Sequence, residues 1–405
     1  MKTVMIMGVG AQGSTIAKCL DEEEVVSEIR CADYDEKAIL EVTGQLKKAT
    51  GFKVNACNVE EIVKVADGAD LIINGLDPNF NMTVMDAALK VGANYQDMAS
   101  GPVNEVDFIE AVERCFNREP EFRAKGLTAL INTGSSPGIA NVIARDSVEM
   151  LDGCDSIEMF FYDGIWTKKF IPFWWSPKTA FGDMAAEPIR FENGKFRRTK
   201  PFDYPNLEEF RGLGKRRVVD HQHEEPVTMG LLADKVFKGV KNVNFRYAGP
   251  ALELAESLYK MGLLSDKPIK INGVEVVPMD VISELTPPAP KYPEEIQEVL
   301  NAGLEQEEGA FLVRLKGKKD GKEMEIENYV NAPGLTESFA LAKLTHESYF
   351  TGQGAFLFTK MLVNNIVNRT GLFPPEVLEQ KERNYYFKEA EKLKITVDCT
   401  VKTRL

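Results

Sequence analysis

The chain has 405 residues, 44% of them hydrophobic, and a formal net charge of −13. The length predicts two or three domains with sizeable cores, and the charge opposes binding to nucleic acid or to an anionic membrane surface. No apolar run reaches the roughly 18 residues of a membrane span, and Met1 leads straight into a strand pattern with no leader. Six scattered cysteines without C-x-x-C spacing fit a reducing cytoplasm rather than a disulfide framework or a structural zinc site. With three histidines in all, His221, His223 and His346, no histidine-rich metal centre is expected.

In chain order, the apolar run 3–7 reads as a buried strand. Gly8-Val9-Gly10-Ala11-Gln12-Gly13 follows, then a helix over 14–20, then a strand over 29–33 that ends on Asp33, twenty residues after Gly13. Strand, G-x-G-x-x-G, helix, strand and acid are the parts of a dinucleotide site. Gly8 permits the tight turn, Gly10 lets a pyrophosphate approach the backbone, and Gly13 lets the helix lie close to the strand. The free N–H groups at the helix start, around Ala11 and Gln12, hold the phosphates. Asp33 suits both ribose hydroxyls of an adenosine. Tyr34 and Asp35 follow it, with no arginine to meet a 2′-phosphate, so NAD is expected and NADP disfavoured.

Alternation continues through a helix at 36–50, a strand at 52–56, a helix at 59–66 and a strand at 70–74 that runs into Gly75-Leu76-Asp77-Pro78. A helix at 81–91, a strand at 94–97, a mostly helical stretch at 106–125 broken near Pro120, and a strand at 127–131 complete it. The pattern predicts an α/β architecture, a Rossmann-type doubly wound parallel sheet over 1–140. Ligands of such sheets sit beyond the carboxyl ends of the strands. That edge makes Asn74, Gly75 and Leu76 cofactor candidates, and it singles out 97–101 and 133–138 for the substrate.

After about residue 150 the pattern changes. Strands are expected at 156–162, with Asp163-Gly164 as a turn behind them, and at 218–220, 227–229, 243–247, 311–317 and 323–329. Asn193-Gly194 between aromatic runs is a hairpin signal. This predicts an inserted α+β domain, mainly antiparallel, over 141–350, with a helix at 250–261. An amphipathic helix at 354–370 and a last one from Pro374 would return to the first domain, making 351–405 a third segment.

Several of these pieces together resemble the saccharopine dehydrogenase-like family: the glycine turn, Ala93-Asn94-Tyr95-Gln96-Asp97, Pro137-Gly138-Ile139-Ala140-Asn141, Trp175-Ser176-Pro177, His223-Glu224-Glu225-Pro226 and Phe245-Arg246-Tyr247 among them. The resemblance implies a Rossmann domain, an inserted mixed-sheet domain, and hydride exchange with a nicotinamide at a carbon bearing nitrogen. It implies an amino acid, or a secondary amine built from one, as the substrate. Asp97 is followed by Met98-Ala99-Ser100-Gly101, where many relatives carry a hydroxyl-bearing aromatic, and Ser135-Ser136 stand where relatives often carry an acid.

The candidate residues each have a plainer reading. Asp97 is a carboxylate for the substrate nitrogen or its proton, or else a cap. Ser135 and Ser136, with the Gly138 backbone, bind a carboxylate or an amide of the cofactor, or cap a helix. Trp175, a substrate-site candidate, walls the nicotinamide, or packs with Trp174 in the core or at a dimer surface. Arg246 clamps an α-carboxylate bidentately or is an exposed strand arginine. His223 is read as a surface salt link rather than a proton shuttle, and Lys195, Arg197, Arg198 and Lys200 as a solvated hairpin face. These residues together read as an NAD-dependent dehydrogenase of such an amine, working in either direction. The rivals are a saccharopine-type reductase that joins an amino acid to a semialdehyde, and an NAD-binding sensor or scaffold without turnover. A homodimer is expected, and no metal.

Overall fold

The alternation in the first third folds as the pattern predicts, with its core formed by the apolar faces of strands and helices. The computed structural model describes residues 1–404. Its first elements are β1 (Lys2–Met7), α1 (Ala11–Asp21), β2 (Val26–Asp33), α2 (Glu36–Thr43), β3 (Ala49–Lys53), α3 (Val59–Ala66), β4 (Leu71–Asn74), α4 (Asn81–Val91), β5 (Asn94–Asp97), α5 (Phe108–Phe116), α6 (Glu119–Ala124), β6 (Thr128–Leu130) and α7 (Ile139–Val148). The helix expected over 36–50 stops at Thr43 because Gly44 is its C-cap and weakens any further turn. The following strand starts early. Gly51 on it lies so close to α2 that a Cβ would stand 2.2 Å from Ile39.

The middle elements are β7 (Gly153–Thr167), α8 (Pro177–Ala185), β8 (Ile189–Glu192), β9 (Lys195–Arg198), β10 (Asn206–Phe210), β11 (Gly214–Asp220), α9 (Glu225–Leu231), β12 (Asn242–Ala248), α10 (Ala251–Lys260), β13 (Ile269–Ile271), β14 (Val274–Val276), α11 (Pro278–Leu285), α12 (Pro293–Ala302), β15 (Leu304–Lys319), β16 (Lys322–Asn331) and α13 (Leu335–Ala342). The Asn193-Gly194 hairpin forms, with φ +51° and +78° at its two turn residues, the signs a primed turn requires. Two expectations fail. The strand expected at 227–229 lies inside α9, where Pro226 occupies the first turn and packing overrides the β-preference of Val227 and Thr228. Asp163-Gly164 is not a turn, because β7 runs through it while pairing Asp163 with Gly309 and Gly164 with Glu308.

The last elements are α14 (His346–Val363), β17 (Gly371–Phe373), α15 (Gln380–Lys392) and β18 (Thr396–Arg404). The chain divides into two units, Met1–Asp146 with Ser348–Lys394, and Ser147–Glu347 with Ile395–Leu405. The segment expected as C-terminal helices is therefore split: β18 belongs to the second unit.

The first unit carries a seven-stranded sheet in the order β17-β6-β5-β4-β1-β2-β3, and every pair in it is parallel. The direction of winding reverses between β1 and β4, the place where such sheets bind ligands. The second unit carries a nine-stranded sheet along the path β10-β11-β12-β7-β15-β16-β18, with β8 and β9 branching from β12. Its pairs are antiparallel except β12 with β7. Arg314 on β15 ties its strands together through Glu208 at 2.7 Å and Glu327 at 3.0 Å. Among the described residues no helix is long and apolar enough to cross a membrane.

Candidate functional site

The reversal point between β1 and β4 is built from glycines that the fold and a ligand require for different reasons. Gly8 has φ +90°, and a Cβ there would lie 2.6 Å from Leu76 Cδ2. A Cβ on Gly13 would lie 1.9 Å from the Gly8 carbonyl oxygen, and one on Gly75 would lie 2.7 Å from the same atom. These three glycines let β1, α1 and the β4 end close on each other. A Cβ on Gly10, by contrast, would meet nothing within 4 Å. Gly10 thus leaves open space in front of α1, which has neither a side-chain cap nor an acid in its first turn.

The N–H groups at that helix start are placed to receive an anion, and Gln12 beside them has a buried Oε1 without a hydrogen-bond partner. The residues present therefore fit the pyrophosphate of a dinucleotide. Asp33, at the β2 end, is 7% exposed. One oxygen accepts the Val9 N–H at 2.9 Å and the other accepts the Asp35 N–H at 3.1 Å. The acid thus latches the glycine turn. Lys53, which faces Asp33 in register across β3, is paired to Glu36 at 3.1 Å. Asn74 accepts the Leu76 N–H at 3.2 Å and donates to Asn81 at 2.8 Å, while the Gly75 N–H donates to Met7 O at 2.7 Å. The 74–76 loop is knitted to the same turn.

Two strands along the edge, Asp97 ends β5. It is 1% exposed. It accepts the Asn132 N–H at 2.8 Å and the Tyr95 hydroxyl at 3.0 Å. Burial, and then the Asp97 charge, push the Tyr95 phenol well above its ordinary range. Asn132 was not foreseen. It is fully buried at φ +60° and accepts the Ser100 hydroxyl at 2.6 Å. Its Nδ2 has no partner among the described residues. An asparagine directly after the strand expected at 127–131 is the signal that could have pointed to it, since Asn tolerates left-handed backbone better than most residues. Asp77, the other acid on this edge, accepts the Asn79 N–H at 2.9 Å and so caps the turn begun by Pro78.

Ser135 and Ser136 precede α7. The Ser135 hydroxyl lies 2.9 Å from that of Thr351 on α14. Gly138, at φ +141°, packs so closely that a Cβ would stand 1.9 Å from Gly134 O. Its N–H donates to Asn141 Oδ1 at 2.7 Å, and Asn141 donates in turn to Glu376 at 2.7 Å.

The remaining candidates belong to the second unit. Arg246 is not an exposed arginine: its side chain is 12% exposed and lies 3.3 Å from Asp220, which also binds Arg190 at 2.9 Å. Burial raises the Asp220 carboxyl above its ordinary value despite the two guanidiniums. Trp175 is partly buried and packs in the aromatic cluster around Phe173 and Tyr247. Trp174 is core, donating to Ile165 O at 3.3 Å. His223 does form a salt link, with the fully buried Glu225 at 2.7 Å, and stacks on Phe245 at 4.0 Å; its own side chain is partly buried, 21% exposed. Burial alone would lower it; Glu225, with Glu224 and Asp183, more than reverses that and raises it to about 9. Burial, with His223 nearby, lowers His221 to about 3.

Two family models match the chain: the saccharopine dehydrogenase NADP binding domain over residues 4–130 and the saccharopine dehydrogenase C-terminal domain over 134–394. The carboxynorspermidine synthase of Vibrio cholerae is 26% identical over 82% of this chain and 81% of its own length. The carboxyaminopropylagmatine dehydrogenase of a Synechocystis species is 23% identical over 94% of this chain and 93% of its own. Saccharopine dehydrogenase (L-Glu forming) from Saccharomyces cerevisiae shares the fold, with a TM-score of 0.69 at 14% identity over 100% of both chains.

Proposed function

The chain belongs to the saccharopine dehydrogenase family, and from that premise we propose that it makes or breaks a secondary amine between two amino-acid-derived pieces, with NAD as its cofactor. It is an oxidoreductase acting at amine C–N bonds. The two relatives named above are named for carboxylated amines, which supports a substrate bearing both a carboxylate and an amine.

The observation that carries the reading is the pairing of an empty space at Gly10 with close packing at Gly8, Gly13 and Gly75. The fold needs the last three small, whereas a ligand needs the first. The preference for NAD rests on Asp33. A 2′-phosphate would bring negative charge against Asp33 and Asp35, and the cation nearest in register is already paired. When bound, the cofactor supplies hydride exchange at the carbon beside nitrogen. The chain's part is to hold the substrate and manage a proton. The nitrogen must be neutral for its lone pair to enter the forming C=N bond. Asp97, ending a strand on the ligand edge, is the group proposed to take or hold that proton. Ser135 and Ser136 at the α7 entry are the proposed contacts for the rest of the substrate in the first unit, and Trp175 and Arg246 are substrate candidates of the second unit.

The test is absorbance at about 340 nm with a panel of amino acids and carboxylated secondary amines, run with NAD and with NADP. Turnover with one of the amines, and an NAD affinity at least about tenfold the tighter, equivalent to ~1.4 kcal/mol, is the expected result. NAD binding with no turnover on any amine would favour the sensor reading. Comparable affinities for the two dinucleotides would remove Asp33 as the discriminator.

A further inference from the structure

A group that takes or holds the proton of a substrate nitrogen must itself be ionised. Asp97 is 1% exposed, and burial disfavours the charged form of a carboxyl. Against that, the fold sets a donor on each of its oxygens. The Asn132 N–H reaches Oδ1 at 2.8 Å, and the Tyr95 hydroxyl reaches Oδ2 at 3.0 Å. Hydrogen bonds to the charged form oppose the effect of burial.

The strand itself makes the Tyr95 contact. Residues two apart on a strand point to the same face, and Tyr95 and Asp97 both lie on β5. The phenol ring is held in the core: it is fully buried, 6.1 Å from the Phe122 ring of α6 and tilted to it by 44°. An ionised carboxylate accepts and never donates, so the proton in this contact is the tyrosine's own. Burial, then the charges of Asp97 and Cys115, push the phenol well above its ordinary range, and it keeps that proton at any working pH. Asp97 and Cys115, the latter from α5, are the titratable groups that bear on the hydroxyl, and Asn74 from β4 acts on it without charge. The donor from the β6 end, the Asn132 N–H, does not titrate.

We propose that Tyr95 is a positioning residue of the reaction: acting through Asp97, its hydroxyl holds that carboxylate ionised and in place for the substrate nitrogen. The proposal rests on the reading of Asp97 as the group that takes or holds the substrate proton, and it adds what makes Asp97 competent. Without the hydroxyl, the balance moves toward the neutral acid. A neutral acid neither accepts a proton nor carries the charge that attracts an ammonium ion. The sign follows: when the donor is removed, Asp97 protonates at a higher pH, and activity on the acid side is lost earlier. A role for Tyr95 in packing alone would change stability and leave the proton equilibrium of Asp97 where it was.

Tyr95→Phe removes the hydroxyl and keeps the ring against Phe122. The full-length protein, with NAD present and aspartate labelled with 13C at the carboxyl, is titrated by NMR. The Asp97 signal is the one missing from Asp97→Asn. In the wild type Asp97 is expected to be ionised at about pH 6, where a buried acid without donors would keep its proton. In Tyr95→Phe the midpoint should rise by about one pH unit or more, the order that a hydrogen bond to a charged group carries. A wild-type Asp97 protonated at about pH 6 overturns the proposal without any variant, and equal midpoints in the two proteins overturn it as well. The second readout is the pH profile of turnover on the panel of amino acids and carboxylated secondary amines. Its acid limb should move up in Tyr95→Phe together with the NMR midpoint, and in the Asp97→Asn background Tyr95→Phe should change turnover less than twofold. An acid limb that stays in place, or a further large loss in that background, shows that Tyr95 does not act through Asp97. The two levels separate. If amines turn over and the midpoint is unmoved, the enzymatic reading stands and the role of Tyr95 falls. If the midpoint moves and no amine is oxidised, the hold of Tyr95 on Asp97 is real, but the enzymatic reading falls and the part of Tyr95 in a reaction falls with it.

Discussion

At the scale of single residues, the glycines separate what the fold needs from what a ligand needs. Gly13→Ala would drive a methyl group into the Gly8 carbonyl, so its damage is structural. Gly10→Val has room and should leave the melting temperature close to that of the wild type while abolishing NAD binding in calorimetry; normal NAD binding would mean that the pyrophosphate lies elsewhere. Asp97 poses a harder question, because its carboxylate already joins the ends of β5 and β6 through Asn132 and Tyr95. Asp97→Asn can still accept the Asn132 N–H, and the Tyr95 hydroxyl can reverse its role, so the stability lost should be near the ~1 kcal/mol of one ordinary hydrogen bond. Turnover should fall by roughly 10²–10⁴-fold, the usual contribution of acid–base help, with little change in NAD affinity. Turnover equal to wild type in steady-state assays would leave Asp97 a structural tie.

At the scale of elements, strands and helices in the first unit are legible because each buries a single kind of periodicity. Errors gather where that signal is absent. The expected amphipathic helix at 354–370 is α14, which starts at His346 and buries residues on all its faces from Tyr349 to Val363, so no polar stripe marks its bounds. β17 has three residues and β18 is largely polar, and both are strands because a neighbouring strand already offers its edge. The strand expected at 227–229 fails for a similar reason, since Pro226 opens α9 and Glu225 to Met229 are all buried whatever their polarity, next to the His223–Glu225 pair. That pair has a consequence in pH. The His223 proton, held to about 9 in the fold, adds stability that is complete below the ordinary pKa of about 6.5 and is lost as pH rises toward 9. His221, kept neutral down to about 3, acts oppositely, adding stability above that ordinary value that fades as pH falls. The wild-type melting temperature should therefore drop between pH 6.5 and 9, and His223→Gln should flatten that decline. Parallel curves for the two proteins would show that the pair is not protonated as described.

At the scale of the whole molecule, the dinucleotide edge was legible because a ligand demands residue types at fixed spacing, as at Gly8, Gly10, Gly13 and Asp33. The setting of Asp97 was legible only in part: Tyr95 stands two residues before it, but Asn132 reaches it from the end of β6, across a stretch of sequence that no spacing rule fixes. The homodimer proposed from the sequence gains one support. Ile269, Ile271 and Val274 on the β13–β14 hairpin are exposed apolar side chains, a composition that marks interaction surfaces. Sedimentation should give a dimer, converted to monomer by Ile271→Lys, and a wild-type monomer at micromolar concentration would end the proposal.

The central claim is that this chain exchanges hydride between a nicotinamide and a carbon bonded to nitrogen. It is tested most directly in the reductive direction, with NADH deuterated at the transferred position, a primary amine and a carboxylated aldehyde, followed by mass spectrometry and NMR of the product. The account predicts a secondary amine with one deuterium on the carbon attached to the new C–N bond, formed in step with NADH loss. NADH that stays unconsumed across the amine and aldehyde panel, or a product without deuterium at that carbon, would contradict it.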